Sequence, residues 1–554
     1  MFELKDRDAN GRICKWVVND HEITTPTIMP VVNPSKMVVS IEDLKKLGAK
    51  IIITNSFIIR NSRFKEECVQ KGLHEFLKWK GPIYTDSGTF QMFSQGIKDI
   101  SQEEIIEFQN QIKSDIVTPV DLFTLPDDTK KQAIEKTKET SKRVFAAKQL
   151  TKNLVGPIQG GLFLDLRKKA CKEIAAADPE LFAIGGIVPL MEQYRYKELF
   201  EIILTCKENL PAGKPVHAFG AGHPMIFAPL VALGVDLFDS AMYALAAASD
   251  RYLTVNGTHQ LADLTEFPCN CPECVKTTPE EVRQLPKQDR EIILAKHNLY
   301  VTFGEIRTIR QAIKENNLWE LVQTRLRAHP NLLEAFETVK KHKKYLMKQD
   351  LISKKSALFY SGKETEFRPE VLRAKEMIKG MSGQTFLKKP FGKVPTGLKG
   401  VYPFGQSIVP GFKEKSAKVD PKDIVRQTIE YQYGFKFKEN FSVELSRQTG
   451  RIRRVWRGKQ LLGTIRANDG FFIPTLEGAK YMDMKKVIVD DEEIAKHVKA
   501  GKSLFVRFID RCDDIIPGEE VAIIYNKEII ATGTAILNKK EISEFQRGVA
   551  IKIR

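Results

Sequence analysis

The chain has 554 residues, of which 42% are hydrophobic and 9% aromatic, and it carries a formal net charge of +17. These proportions are ordinary for a globular protein, and the length favours three or four domains over one hydrophobic core. The sequence contains no apolar run of roughly 18 residues and its N-terminus lacks the apolar segment of a signal peptide, so we expect a cytoplasmic protein without a membrane anchor.

The positive charge favours a polyanionic partner, because Lys and Arg side chains release counterions when they neutralise phosphates. The sequence pI is about 9.2. A solvated, lysine-rich surface would give the same totals, so charge alone leaves nucleic-acid binding about as probable as not.

Eight short apolar runs alternate with helical or loop-like stretches in the first half of the chain. They lie at 28–32, 50–55, 82–86, 115–121, 153–159, 181–187, 215–220 and 235–239. Several are almost uniformly apolar, as is typical of parallel strands covered on both faces. Alternating strands and helices indicate βα units, and eight units favour an α/β fold of the (β/α)₈ TIM-barrel type. An open doubly wound sheet is the alternative.

Polar residues and glycines collect where these predicted strands end, which in a TIM barrel is the active-site face. The positions in chain order are Asp86 and Ser87, Asp121, Gln159, Gly185 and Gly186, Gly220 to His223, and Asp239 with Ser240. Each alone has a plain explanation as turn or cap chemistry. Their shared placement makes a catalytic role more probable, with Asp236 left to the structure of the barrel.

Three of the eight cysteines fall close together, at Cys269, Cys271 and Cys274, and His297 follows on a predicted helix at 289–298. Three thiolates and one imidazole complete a tetrahedral zinc site, and a cytosolic chain with one tight cluster favours a metal over disulfides. The pattern leaves no open coordination position, so we expect one structural Zn²⁺. A histidine without a ligand role is the alternative for His297.

The second half of the chain is less informative. The pattern is helical from 301 to about 345, a loop is predicted at 390–412, and a basic strand is predicted at 451–459. The last 70 residues alternate as strands at 486–490, 504–511, 519–526, 529–537 and 548–554, with one helix at 490–500. The alternation predicts a small β-barrel that serves as a binding module.

Several segments together make the chain resemble the tRNA-guanine transglycosylases, specifically their archaeal type. They are TDSGTFQ at 85–91, PIQGG at 157–161, AIGGIVPL at 183–190, HAFGAG at 217–222, DLFDSA at 236–241 and the Cys₃His set. Residues 485–554 resemble a PUA domain, an RNA-binding fold. The resemblance runs through essentially the whole chain, including a long C-terminal extension.

The resemblance implies three regions. Residues 1–345 would form the TIM-barrel catalytic domain with the zinc site at about 265–300, residues 346–484 one or two small α+β domains that extend the tRNA-binding surface, and residues 485–554 the PUA domain. It also implies tRNA as a partner and a possible homodimer.

The implied activity is exchange of guanine at position 15 of the tRNA D-loop for 7-cyano-7-deazaguanine (preQ0), a step of archaeosine biosynthesis. Asp239 matches the nucleophile, which would form a covalent sugar ester, and Asp86 the acid/base. Asp121, Gln159, Ser87, Gly185 and Gly186 match the base-binding positions. The zinc ligands would be Cys269, Cys271, Cys274 and His297.

Three alternatives remain open. A non-catalytic tRNA-binding partner subunit would form no covalent adduct with tRNA. An archaeosine synthase-like enzyme would act on the next step. A metabolic barrel enzyme with basic tails would act on a small molecule without RNA.

Overall fold

A computed structural model describes residues 1–94, 101–412 and 419–554. The chain divides into two compact units. The first comprises Met1–Asp6, Gly11–Ala312 and Thr324–Phe336, and the second comprises Arg7–Asn10, Ile313–Gln323 and Glu337–Arg554. Within the described ranges, no helix is both long enough and apolar enough to cross a membrane.

The described residues of the first part of the chain form thirteen strands and fourteen α-helices. The strands are β1 (Phe2–Asp8), β2 (Gly11–Val18), β3 (His21–Thr24), β4 (Thr27–Pro30), β5 (Ile52–Asn55), β6 (Ile83–Asp86), β7 (Ile116–Val117), β8 (Val155–Ile158), β9 (Leu181–Ile184), β10 (Val216–Ala218), β11 (Leu237–Ser240), β12 (Arg251–Thr254) and β13 (Gly257–Gln260). The helices are α1 (Ile41–Leu47), α2 (Ser56–Arg60), α3 (Lys65–Lys71), α4 (Leu73–Leu77), α5 (Thr89–Ser94), α6 (Gln102–Gln111), α7 (Lys130–Lys148), α8 (Leu164–Ala176), α9 (Val188–Glu192), α10 (Tyr196–Asn209), α11 (Phe227–Ala232), α12 (Met242–Ala248), α13 (Pro279–Gln284) and α14 (Lys287–Glu315).

The rest of the chain is built from smaller elements. Its strands are β14 (Leu358–Phe359), β15 (Thr385–Lys388), β16 (Gly392–Pro395), β17 (Ser407–Ile408), β18 (Ser442–Leu445), β19 (Ile452–Arg457), β20 (Gln460–Ile465), β21 (Phe472–Pro474), β22 (Lys486–Ile488), β23 (Leu504–Phe505), β24 (Arg511–Cys512), β25 (Glu520–Tyr525), β26 (Glu528–Ala535) and β27 (Val549–Ile553). Its helices are α15 (Leu318–Leu326), α16 (Pro330–Ala335), α17 (Lys343–Gln349), α18 (Pro369–Met377), α19 (Pro421–Tyr433), α20 (Leu476–Ala479), α21 (Glu492–Lys499) and α22 (Lys539–Glu544). Short 3₁₀ turns lie at Pro224–Ile226, Leu261–Asp263, Cys274–Lys276, Phe336–Lys340, Lys363–Phe367, Thr396–Leu398 and Val506–Phe508.

Strands β4 to β11 form the predicted barrel. One parallel sheet has the order β4-β11-β10-β9-β8 and a second has the order β5-β6-β7. Parallel bridges join them on both sides, from Val31 to Ile53 and from Val117 to Leu154. The eight strands therefore close into a ring, which confirms the TIM barrel and shows that the open-sheet alternative is wrong.

Local signals explain where the first helix of the barrel begins and ends. The Ser40 side chain accepts a hydrogen bond from the Asp43 amide at the start of α1, and Gly48 takes the left-handed conformation (φ +98°) at its end. The barrel strands are well covered, and each residue of β5, β8, β9 and β11 is buried.

The predicted loop at 390–412 is wrong in part. It contains β16, β17 and a 3₁₀ turn, and it supplies Phe391, Val394, Leu398 and Phe404 to a buried core. Frequent Pro and Gly suggested a loop, but the apolar side chains between them are what this segment buries. The basic strand predicted at 451–459 is confirmed as β19, in the antiparallel sheet β18-β19-β20-β21.

The C-terminal module is a six-stranded sheet with the order β23-β27-β26-β25-β22-β24. The single strand predicted at 504–511 is wrong, since a 3₁₀ turn at Val506–Phe508 separates β23 from β24. A second helix, α22, was not predicted; it begins at a capping box made by Asn538 and Glu541.

Candidate active site

Asp239 lies at the carboxyl end of β11, and it is 6% exposed. Two donors converge on one of its oxygens: Oδ1 accepts from the Gly220 amide at 2.5 Å and lies 2.8 Å from Nε2 of His217. An ionised carboxylate only accepts hydrogen bonds, so Nε2 of His217 carries the hydrogen. The carboxylate is thus held through Oδ1, and neither of these two bonds engages Oδ2.

The partner of Asp239 is itself tightly enclosed. The His217 side chain is fully buried on β10, edge-on to Tyr84 with ring centroids 5.7 Å apart and tilted against Phe219 at 4.9 Å. Its Nδ1 finds no hydrogen-bond partner in the described part of the chain. A hydrogen on Nδ1 would therefore be buried without an acceptor, which favours the tautomer with its hydrogen on Nε2, donated to Asp239.

Asp86 ends β6, where the sheet register sets it opposite Asn55. The Asn55 side chain donates to Asp86 Oδ2 at 2.8 Å. Burial and the negative charges of Asp121 and Asp239 together raise the pKa of Asp86 to about 7, although hydrogen bonds from the Gly88 and Ser87 amides oppose the shift. Near neutral pH this carboxyl is therefore divided between its acid and base forms.

Asp121 and Gln159 form a joined pair on neighbouring strand ends. Gln159 Nε2 donates to Asp121 Oδ2 at 2.6 Å, while Gln159 Oε1 accepts from both the amide and the hydroxyl of Thr124 at 3.0 Å. Because the Thr124 amide can only donate, the orientation of the Gln159 amide group is fixed. Burial raises the pKa of Asp121, and hydrogen bonds from Gln159 and Thr89 counteract that effect.

The two glycines of the AIGGIVPL segment lie against this pair. A side-chain Cβ at Gly185 would come within 2.4 Å of Gln159 Nε2, and one at Gly186, whose φ is +70°, would come within 2.6 Å of the Thr124 carbonyl oxygen. Only glycine lets the backbone approach the Gln159 amide this closely.

Ser87 directly follows Asp86 and is buried. Its hydroxyl lies 3.0 Å from the Thr89 hydroxyl. What Ser87 supplies is its backbone amide, which bonds to Asp86. Asp236 is held structurally, as predicted, by two hydrogen bonds from Arg12 at 2.8 and 2.7 Å and one from the Val216 amide.

Sequence reasoning missed several residues at this site. His217, Asn55 and Thr124 are polar residues inside or beside apolar strands, where the pattern gives no sign of what they contact. Phe90 is 64% exposed and its ring lies 6.0 Å from that of Phe123. The sequence signal for Phe90 was an aromatic residue four positions after Asp86. Exposed rings next to polar site residues are typical of surfaces on which bases stack.

The four predicted metal ligands come together in the first unit. The ligand atoms of Cys269, Cys271, Cys274 and His297 all lie within 4.8 Å of one another. His297 directs Nδ1 at Cys274 Sγ (3.2 Å), while its Nε2 lies 2.9 Å from the Leu253 carbonyl oxygen. That carbonyl fixes the ring so that Nδ1 offers its lone pair to an ion. The donor set and its closed geometry fit a tetrahedral metal site.

The metal cluster is supported by packing as well as by its ligands. Tyr252 stacks on the His297 ring with centroids 3.6 Å apart, and its hydroxyl lies 3.4 Å from Cys274 Sγ. Beside it, Thr278 and Glu281 form a capping box at the start of α13.

The chain matches three family models, whose order follows the fold. They are queuine tRNA-ribosyltransferase at residues 6–331, the patch-forming domain C2 of tRNA-guanine transglycosylase at 423–486, and the PUA domain at 485–554. The first of these covers more than half of the chain.

Curated relatives align along the whole length. The chain is 42% identical to a tRNA-guanine(15) transglycosylase of Thermococcus onnurineus, with 100% of this chain and 98% of the relative covered. It is 40% identical to one of Methanococcus aeolicus and 39% identical to one of Methanocaldococcus jannaschii, each with 100% of this chain and 99% of the relative covered. The barrel, the strand-end carboxylates and these matches together show that the chain belongs to the tRNA-guanine transglycosylase family.

Proposed function

We propose that this protein exchanges guanine at position 15 of the tRNA D-loop for preQ0, through a covalent bond between Asp239 and the ribose. The observation that carries the proposal is the electrostatic grouping of three carboxylates: the charges of Asp121 and Asp239 both raise the pKa of Asp86. The names of the full-length relatives supply the position in the tRNA.

In the first step Asp239 Oδ2 attacks C1′ of the ribose. A C1′–O bond forms while the C1′–N9 bond breaks, and the electron pair of that bond leaves with guanine. Asp86, held partly protonated by its raised pKa, gives its proton to the departing base. The two donors on Asp239 Oδ1 orient the nucleophile throughout.

In the second step the incoming base attacks from the face that guanine vacated. Its N9 proton passes to the ionised Asp86, the new C1′–N9 bond forms, and the electron pair of the C1′–O bond returns to Asp239. Two inversions give net retention, as in retaining glycoside transfer. The same carboxyl serves as acid and then base, which a pKa of about 7 allows.

Base recognition follows from the fixed amide of Gln159. Its carbonyl oxygen is occupied by Thr124, so Nε2 presents its second hydrogen as a donor suited to the O6 of a purine. Asp121 can accept from the ring and amino N–H groups on the same edge, which guanine and preQ0 share. The exposed Phe90 ring offers a surface on which a base flipped out of the tRNA can stack.

The decisive experiment incubates the protein with tRNA and labelled preQ0 and then maps the modified position. We expect label at position 15 and, on a denaturing gel, a protein–tRNA adduct that is absent from Asp239→Asn, although that variant still binds tRNA. Label elsewhere refutes the assigned position. Normal exchange by Asp239→Asn refutes the nucleophile, and no exchange by the unaltered protein favours a non-catalytic tRNA-binding subunit.

We propose further that the Cys₃His cluster holds one structural Zn²⁺. In support, three thiolates and one imidazole can supply all four ligands of a tetrahedral ion, and the Leu253 carbonyl bonds to the other nitrogen of the histidine. Bound there, zinc would stabilise the segment between β13 and α14. Metal analysis of the purified protein tests both the identity and the one-to-one amount.

We also infer that the C-terminal regions, 346–484 and 485–554, bind the tRNA backbone and that the protein acts in the cytoplasm. The exposed basic side chain of Arg453 on β19, the net charge of +17 and the PUA match support this role. Arg453→Ala should weaken tRNA binding and lower the slope of log K against log salt by about 0.9. An unchanged affinity and slope would contradict it.

A homodimer, which the family suggests, is tested by the mass of the protein in solution.

A further inference from the structure

The guanidinium of Arg167 is fully buried next to the strand ends that carry the proposed base-recognition groups. Arg167 lies on the first turn of α8. Its Nε donates to the Gly161 carbonyl at 3.0 Å, and its Nη1 donates to the carbonyls of Ile158 at 2.7 Å and Gly185 at 2.9 Å. The cation is thus bonded to three backbone oxygens from two adjacent strand ends.

Arg167 is an unusual buried cation because it has no carboxylate partner. Among the ion pairs within the described ranges, it takes part in none, and its Nη2 has no hydrogen-bond partner there. Burial lowers the pKa of the guanidinium. Burying a charge without a counter-charge is costly, so the three backbone contacts have to offset that cost.

The three carbonyls belong to the backbone that carries the recognition groups. Ile158 immediately precedes Gln159 at the end of β8, and Gly185 immediately follows the end of β9. The Ile158 oxygen also accepts the Gly185 amide at 3.1 Å, so Arg167 completes a junction between the two strands. A Cβ at Gly160, whose φ is +144°, would come within 2.9 Å of the Arg167 amide, which shows how closely the loop folds over it.

We propose that Arg167 is a positioning residue that sets the spacing between the Gln159 side chain and the Gly185 backbone, and thereby sets the affinity of the protein for the free base. Thr124 also holds the loop after Gln159, since its hydroxyl accepts hydrogen bonds from the amides of Gly160 and Gly161 at 3.2 and 2.6 Å. The inference rests on the proposed base-binding role of Asp121, Gln159 and Gly185. It predicts an effect on base binding that is separate from tRNA binding and from the nucleophile.

The test compares two variants that each lose a buried arginine bonded to backbone carbonyls. Arg167→Met removes the contacts at the carboxyl ends of the strands. Arg12→Met removes a guanidinium that bonds to the carbonyls of Ala212 and Lys214 at the opposite ends and, unlike Arg167, also to the Asp236 carboxylate. For each full-length variant, the dissociation constant for preQ0, the KM and kcat for labelled guanine, the tRNA affinity and the melting temperature are measured.

We expect Arg167→Met to raise the preQ0 dissociation constant and the guanine KM at least 10-fold, with tRNA affinity within threefold of the unaltered protein. Arg12→Met should lower the melting temperature and leave the base constants within threefold. Arg167→Lys should lose less than Arg167→Met, and added guanidinium at millimolar concentration should partly restore base binding to Arg167→Ala. Should Arg167→Met not fold, Arg167→Lys decides by the same measurements.

The proposal is overturned if the base constants of the Arg167 variants stay within threefold of the unaltered protein. It is also overturned if Arg12→Met changes them as much, because the effect would then be one of general stability. Asp121→Asn separates this outcome from failure of the proposed recognition site. If Asp121→Asn leaves preQ0 binding unchanged, the recognition site is wrongly assigned, whereas an effect of Asp121→Asn without one of Arg167→Met refutes only the positioning role.

Discussion

Removing the His217 donor should slow the covalent step without affecting tRNA binding. Leu in place of His217 fills much of the same buried volume and deletes the hydrogen bond of 2.8 Å to Asp239 Oδ1. The Gly220 amide still donates to that oxygen at 2.5 Å, so the Asp239 carboxylate loses one of the two hydrogen bonds at Oδ1. A hydrogen bond to a charged group contributes about 1.5–3 kcal/mol, which corresponds to a roughly 10- to 150-fold lower rate.

The matched variant is His217→Gln, because the glutamine side chain can present an N–H at a reach similar to that of the histidine Nε2. The assay is single-turnover release of labelled guanine from tRNA, with tRNA affinity measured in parallel. We expect His217→Gln to stay within about fivefold of the unaltered protein and His217→Leu to fall in the range above. Equal losses in both variants would show that packing of the imidazole matters and its hydrogen bond does not. Full activity in His217→Leu would refute the positioning of Asp239 by this residue.

Three further outcomes are expected. Guanine release needs the acid form of Asp86, so its rate should fall as pH rises through about 7; Asp121→Asn removes a charge that raises this pKa and should move the fall to lower pH, and an unmoved profile would contradict the coupling. Cys271→Ser should lose the bound metal and the folded state of its segment together, as followed by metal analysis and proteolysis, and a metal-free variant of normal stability would argue against a structural ion. Lys354→Met leaves the buried carboxylates of Asp8, Asp350 and Glu370 without their shared cation and should lower the free energy of unfolding by about 3–5 kcal/mol in urea titration, whereas the exposed Lys355→Met should change it by less than about 0.5 kcal/mol.

The barrel could be predicted from sequence because its strands are short, apolar and evenly separated. The exact strand lengths could not. The segment predicted at 115–121 pairs only over Ile116–Val117. Beyond Val117 the side-chain amide of Gln109 supplies the hydrogen bonds of a neighbouring strand. It accepts from the Thr118 N–H at 3.0 Å and donates to the Thr118 carbonyl at 2.8 Å. A side chain from α6 thus replaces a neighbouring strand, which no local pattern reveals.

The same limit applies to the site. Asp86, Asp121, Gln159 and Asp239 stand at strand ends, where chain order alone assigns them to one face of the barrel. Thr124, His217 and Arg167 act through contacts made by folding, and all three are fully buried. The sequence does not indicate which residues a buried arginine on a helix or a histidine in an apolar strand will contact. Their roles depend on distances that only the closed ring defines.

The ring of strands is joined unevenly, and this has a consequence for motion. Asp239 sits within the run of five paired strands, whereas an isolated bridge from Val117 to Leu154 joins the strand before Asp121 to the strand before Gln159. A seam with few backbone hydrogen bonds opens at lower free energy than a full ladder. Breathing of the barrel therefore falls at this seam, between Asp121 and Gln159, and at the second seam, which the Val31–Ile53 bridge closes, and not beside Asp239. Amides along this seam should exchange with solvent deuterium before those of β10 and β11, and a bound base, by spanning the seam, should slow them most.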